Sequence, residues 1–261
     1  ISEPVTLEGI QVMDALKRSL WATATDELRP IINGVCFALK DGWLDIVATD
    51  GHVMVKSHIN ASKGAKMTDE FRINIPKKAA TLLGGVLSGD SVKVSCNEQS
   101  CRMEFWPYTL DMRLIEGKFP NYNSIIPKDQ PLTAIVPRAL ALCSLKKVVP
   151  FSADNNGSHM VRMSLTKDRM KLTAEDINLA KGSHDSFFVD YLHEDIEIGV
   201  SGSRLAAILS KLSGGEMRMC MTDSTHAMTL TAVDLDANGQ PLKWKVENSW
   251  GASYGQQGCL I

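Results

Sequence analysis

The sequence predicts an α+β protein in which one domain is used twice, each copy with two helices packed on antiparallel sheets. Two observations lead there. Segments recur at a nearly constant offset, and the strand-like segments are short and alternate apolar with polar residues. In chain order, Leu7–Ala22 has helical spacing. Leu44-Asp45-Ile46-Val47-Ala48-Thr49-Asp50 alternates with period two, the mark of a half-buried strand. Pro76–Leu87 is helix-like, and Ser88-Gly89-Asp90 turns into the alternating Ser91-Val92-Lys93-Val94. Lys118–Pro127 carries the Pro and Asn punctuation of a linker. The order then repeats: helix-like Pro137–Val148, strand-like Met170–Asp176, helix-like Gly202–Leu212, and Ser213-Gly214-Gly215 before Glu216–Met219. Leu44 and Met170 are 126 apart, while Ser88 and Ser213, and Leu20 and Leu145, are 125 apart. A period this long is a duplicated domain, since solenoid repeats run about 20–50 residues. The expected domains are 1–127 and 128–261. Polar alternation in short strands points to antiparallel sheets with one face on helices.

Composition narrows the function. The 261 residues are 44% hydrophobic and 22% charged, which is ordinary globular usage. No apolar run approaches the ~18 residues of a membrane span, and no export signal opens the chain, so a cytoplasmic protein is expected. Ile1 and the apolar Gly258–Ile261 give both ends a cut look. The six cysteines, of which Cys96 and Cys101 are closest, have no CxxC spacing. They read as small buried hydrophobes in a reducing compartment, with no metal and no cofactor implied.

Charge is segregated. The four helix-like segments hold nine bases (Lys17, Arg18, Lys77, Lys78, Arg138, Lys146, Lys147, Arg204 and Lys211) against Glu8 and Asp14. That surplus of seven leaves the rest of the chain at −9 within a net charge of −2. A basic helical face attracts phosphates without reading bases. The competing reading is that these side chains simply solvate amphipathic helices. Aromatics are only 6%, which disfavours base stacking on a single strand.

Three ordered stretches then resemble a known family, the bacterial sliding clamp (DNA polymerase III beta subunit). They are Glu27–Val35 ("RPxxNGV"), Val47–His52 ("VATDGH") and Leu114–Tyr122 ("EGxFPNY"). The resemblance runs to about Ser224 and corresponds to the family's second and third domains. It implies the DNA clamp fold and a non-catalytic processivity factor that tethers the replicative polymerase to double-stranded DNA. It implies that the nine cations line a ring's central hole, and that the chain is a clamp fragment; three copies would count the six domains of a ring, a possible homo-oligomer. It also implies a pocket for apolar peptide motifs of polymerases and the clamp loader. Its wall would include Ile32, Thr49, Gly51, His52, Met54, Pro120 and Ile125, with Thr225 on the other side. Core packing is the competing reading for Ile32, Met54 and Ile125.

From about 225 to 261 the chain departs from the clamp. Thr225-His226-Ala227-Met228 and Glu247-Asn248-Ser249-Trp250-Gly251 resemble the papain-like cysteine peptidases of the bleomycin hydrolase branch. The resemblance makes His226 a catalytic base and Asn248 the residue that orients it. None of the six cysteines is followed by Trp, as that family's nucleophile is, so peptidase activity is not expected. The alternative function is therefore the C-terminal part of a cysteine peptidase lacking its nucleophile. Alternation at Met228–Val233 and the Asn238-Gly239 turn signal suggest a hairpin able to replace the clamp's last strands.

Overall fold

The computed structural model describes residues 3–221, apart from 62, 67, 89–90, 127–131, 154–158, 177 and 213. Beyond 221 it describes only the backbone of three strands, 228–235, 241–248 and 259–260. The chain divides into two compact units, Ile1–Ile125 and Ile126–Ile261.

The first unit opens with strand β1 (Val5–Glu8) and helix α1 (Gly9–Ser19), then a 3-10 turn at Leu20–Ala22. The expected helix from Leu7 is thus shorter, and Leu7 and Glu8 are extended. Four residues that alternate buried and half-buried pair with Ser91–Val94, and that distant partner overrides local helical spacing. Strands β2 (Gly34–Lys40), β3 (Trp43–Thr49), β4 (Met54–Asn60) and β5 (Phe71–Pro76) form an antiparallel sheet in the order β4-β3-β2-β5. Helix α2 (Lys77–Val86) leads to β6 (Ser91–Cys96), β7 (Ser100–Phe105) and β8 (Tyr108–Arg113), which extend β1 into a second sheet, β1-β6-β7-β8.

Helices and sheets share one core. Val12, Ala15 and Leu16 of α1 meet Ala80 and Leu83 of α2, and both meet Phe37, Leu44 and Ile46 from the first sheet and Val92 and Met103 from the second. The β2 ladder shows why these residues are inside. Val35, Phe37 and Leu39 face the helices, while Cys36 and Ala38 face the other way. That outer face has its own small core with Ile32, Val47, Phe119 and Tyr122. The first sheet is therefore covered on both sides, which accounts for the nearly continuous burial of β2.

The second unit repeats the order. Strand β9 (Leu132–Pro137) and helix α3 (Arg138–Val148) precede β10 (Met160–Thr166), β11 (Arg169–Asp176), β12 (Lys181–Phe188), the short β13 (Asp190–Tyr191) and β14 (Ile196–Ser201). Helix α4 (Gly202–Lys211) leads to β15 (Glu216–Met221). Sheet β12-β11-β10-β14 matches the first unit's β4-β3-β2-β5, and β9 pairs β15 as β1 pairs β6. Leu145, Val161, Met163, Leu172 and Tyr191 centre this unit's core.

Strands β16 (Met228–Leu235), β17 (Pro241–Asn248) and β18 (Cys259–Leu260) form a separate sheet. The expected pairing of the tail is present: β16 and β17 are antiparallel, with bulges at Leu230/Ala232 and Asp234/Leu235. Among the described residues no ladder joins this sheet to β15. The Asn238-Gly239 turn, Thr225 and His226 lie outside the described residues; Asn248 ends β17.

Candidate functional site

The nine cations occupy helices in both units. Along α1, Val12, Ala15, Leu16 and Ser19 are buried, and Lys17 and Arg18 project from the opposite, exposed face in the last turn. There a positive charge suits the helix dipole. The same holds for Lys146 and Lys147 at the end of α3 and Lys211 at the end of α4. Arg204 lies seven residues before Lys211, on the same exposed stripe.

Lys77 and Lys78 are different. They open α2, whose first turn has no acidic residue, where the dipole disfavours cations by about 0.3–1 kcal/mol. Neither ammonium group makes an ion pair among the described residues. The same is true of Lys17, Arg18, Lys146, Arg204 and Lys211; the Lys17 ammonium donates to the Met13 sulfur at 3.3 Å. Seven of the nine cations therefore have no ion-pair partner among the described residues.

The other two have partners. The Arg138 guanidinium donates to the Gly214 carbonyl at 2.8 Å and the Leu209 carbonyl at 3.1 Å, so it caps α4 from the start of α3. The Lys147 ammonium pairs with Asp185 on β12 at 2.9 Å, and this hydrogen bond pushes Lys147 up and Asp185 down. As placed, Arg138 and Lys147 serve the fold of their own unit. Glu8, counted with the helices from sequence, lies on β1 and pairs with Lys63 at 2.9 Å.

The described pocket candidates all come from the first unit. The cross-strand register runs Thr49–Met54, Val47–Lys56, Asp45–His58 and Trp43–Asn60, so these residues form one continuous row pairing β3 with β4 on the outer face. At its end, the Thr49 hydroxyl donates to the Val53 carbonyl at 2.8 Å and accepts from the Gly51 N–H at 3.1 Å. The Asp50 carboxylate accepts from the His52 and Val53 N–H groups, at 2.8 and 2.7 Å. Gly51 is needed here because its φ is +89°. Met54 is half-buried against the outer core, and His52, Pro120 and Ile125 are exposed. Ile32 is 4% exposed and packs within that core, so core packing accounts for it.

Sequence reasoning missed two features. The Arg29 guanidinium lies over Gly51, its Nη1 3.2 Å from where a Cβ would sit, while its Nε donates to Asp26 at 2.7 Å. It stands within one of the quoted motifs, but nothing local revealed its direction. The second feature centres on Asp45. Its carboxylate contacts His58 Nδ1 at 2.6 Å, accepts from the Tyr122 hydroxyl at 2.9 Å and pairs with Lys56 at 2.9 Å. Burial alone would raise its pKa, but the hydrogen bonds from His58, Lys56 and Tyr122 outweigh burial and hold it below the usual carboxylate range. Burial and this same carboxylate push the Tyr122 phenol up. Trp43 stacks on His58 with centroids 4.4 Å apart. Asp45, His58, Arg72 and Tyr122 border a cavity of about 640 Å³. Arg72 donates to the Phe119 and Pro120 carbonyls, at 3.3 and 3.1 Å.

Among the described residues, no cluster of three or more His, Cys, Asp or Glu side chains could hold a metal ion, and no helix is long and apolar enough to cross a membrane.

Comparison with known proteins gives this geometry a context. A family model described as "DNA polymerase III beta subunit, central domain" matches residues 6–121, and one described as "Peptidase C1-like family" matches 201–261. The second match starts before the expected boundary at 225 and includes α4 and β15. The beta sliding clamp of Synechococcus elongatus is 22% identical over 235 residues, covering 88% of this chain and 62% of that protein. That of Chlamydia muridarum is 25% identical over 227 residues, covering 87% and 61%. The chain thus spans about three fifths of the length of these relatives. Among solved structures, a DNA polymerase sliding clamp from Pseudomonas aeruginosa superposes with a TM-score of 0.79 at 22% identity, covering 87% of this chain and 62% of that one. A sliding clamp from Bartonella birtlesii bound to griselimycin gives 0.76 at 25% identity, covering 85% and 60%. The chain therefore has the sliding-clamp fold, and its residues 6–121 match the model of the DNA polymerase III beta subunit central domain.

Proposed function

We propose that this chain acts as a sliding-clamp component, a non-catalytic processivity factor that tethers the replicative DNA polymerase to duplex DNA. Residues 1–127 would be the family's second domain and 128–261 its third, with an atypical segment at 225–261. The observation that carries the reading is the set of seven helix cations with no ion-pair partner among the described residues, six of them exposed and Lys77 half-buried. Uncompensated cations gain most when they displace counterions from a phosphate backbone. Phosphate contacts position a protein without reading sequence. A tether raises the effective concentration of its partner on the template and needs no strong contact of its own. Beside Thr49, Gly51, His52 and Met54, the outer face of the first unit would take apolar partner motifs of polymerase and clamp loader, with Arg29 as a further polar contact.

The test is fluorescence anisotropy of the full chain with a labelled duplex across a salt series. The logarithm of affinity should fall with the logarithm of salt by about 0.9 per phosphate neutralised. The K17A/R18A/K77A/K78A variant should flatten that slope by up to about 3.6 units, if each cation neutralises one phosphate. A parent slope near zero, or a variant slope equal to the parent's, overturns the reading.

The match at 201–261 supports a second reading, a peptidase remnant around His226 and Asn248. Burial pushes the Cys36 and Cys101 thiols up, the wrong direction for a nucleophile. The proposed clamp role includes no catalytic thiol.

A further inference from the structure

The β6–β7 hairpin sets Cys96 directly opposite Cys101. One step nearer the turn, the Asn97 N–H donates to the Ser100 carbonyl at 2.9 Å. Hydrogen-bonded and non-hydrogen-bonded pairs alternate along an antiparallel ladder, so Cys96 and Cys101 form a non-hydrogen-bonded pair. The other side of β7 agrees. The Leu114 N–H donates to the Gln99 carbonyl at 2.8 Å, so two residues on, the backbone groups of Cys101 also face β8 and not β6. At a non-hydrogen-bonded pair the Cα atoms stand about 4.5 Å apart. That lies inside the window of roughly 4.4–6.8 Å that a disulfide bridges. Both side chains point the same way, inward, in line with Val92 and Val94 on one strand and Met103 and Phe105 on the other.

We propose that Cys96 and Cys101 are a thiol–disulfide couple, a modification site at which a hydroperoxide closes a cross-strand disulfide and a dithiol reopens it. Cys96, 7% exposed at the end of its strand, is the first to react; Cys101, at 1%, resolves. The Cys96 thiolate attacks a peroxide oxygen, and the O–O bond breaks. For hydrogen peroxide, hydroxide leaves and takes up a proton as water, and Cys96 becomes a sulfenic acid. The Cys101 sulfur then attacks the Cys96 sulfur, the S–S bond forms, and the hydroxyl leaves as a second water with the Cys101 proton. Two thiols lose two electrons, and the peroxide gains them. Burial, with the neighbouring Cys96 and Asp111 adding to it, pushes the Cys101 thiol up to about 12, so little of it is thiolate near neutral pH and closure of the S–S bond is slow.

Peptide mapping of the full chain tests this. The chain is exposed to hydrogen peroxide, quenched, denatured, alkylated and cleaved with trypsin. Cleavage after Lys93 and Arg102 leaves both cysteines in one peptide, Val94–Arg102. The expected product is that peptide lighter by two hydrogens and alkylated at neither cysteine, with both sites alkylated again after dithiothreitol. In C101S, Cys96 should instead be trapped as a sulfenic acid that reacts with dimedone. A Val94–Arg102 peptide that stays doubly alkylated while the exposed Cys143 and Cys220 oxidise overturns the proposal. So does protection that dithiothreitol fails to reverse. Mapping the parent needs no variant, so poor folding of C101S would leave the decision intact.

Discussion

Asp45 draws together side chains from two other parts of the chain: Lys56 and His58 from the neighbouring strand, and Tyr122 from 77 residues away. Its own side chain is 14% exposed and that of Lys56 25%, so solvent screens their pairing little. Asp45→Asn would leave Lys56 without its counter-charge and should cost about 1–3 kcal/mol at pH 7, read from urea denaturation midpoints. The pH dependence has a definite sign. A carboxyl whose folded pKa lies below its unfolded value of about 3.9 stabilises the fold above that pH, and loses the contribution as pH falls through the folded pKa. The gap between parent and variant should therefore be full at neutral pH and narrow below about pH 4. A gap of equal size at pH 3 and pH 7 would assign the effect to packing. None of this cluster was legible in the sequence, where Asp45 and Tyr122 were only a strand residue and the end of a motif. A side chain's charge partners depend on which strands are adjacent, and local pattern is silent on that.

Among the elements, the helices were the most legible and the first strand the least. Pro76–Leu87, Pro137–Val148 and Gly202–Leu212 came within one residue at each end, because their buried residues recur at helical spacing and a Pro or Gly marks each start. Leu7–Glu8 was misread because its alternation is only four residues long and its partner lies more than eighty residues on. Helical glycines give a prediction at this scale. A Cβ on Gly85 would meet nothing within 4 Å, so Gly85→Ala should stabilise by roughly 0.5–1 kcal/mol through helix propensity. A Cβ on Gly202 would come within 2.5 Å of Val161 and 2.7 Å of Val149, so Gly202→Ala should destabilise, by about 1–3 kcal/mol, as overpacking does. Thermal melts of the two variants should move in opposite directions; movement in the same direction would contradict the packing at one of the sites.

For the whole molecule, the question is which cations face a ligand and which hold the fold. Arg138 and Lys147 are spent within the second unit, on α4 carbonyls and on Asp185. R138A/K147A should therefore lower stability, by about 1–2 kcal/mol for the lost capping bonds, and leave the slope of duplex affinity against salt within about one unit of the parent's. A slope loss as large as that of K17A/R18A/K77A/K78A would return Arg138 and Lys147 to the phosphate-binding set. The duplicated topology and the surplus of positive charge on the helices were both written in the linear pattern. Periodicity and composition are local or additive properties, and a reader of the chain can sum them without knowing who touches whom. Tertiary structure alone decided that two of nine cations already have partners, that Ile32 is core, and that two cysteines oppose each other at a non-hydrogen-bonded position. Each depends on strand register or on a contact between segments far apart in the chain, and those are set by packing of the whole unit.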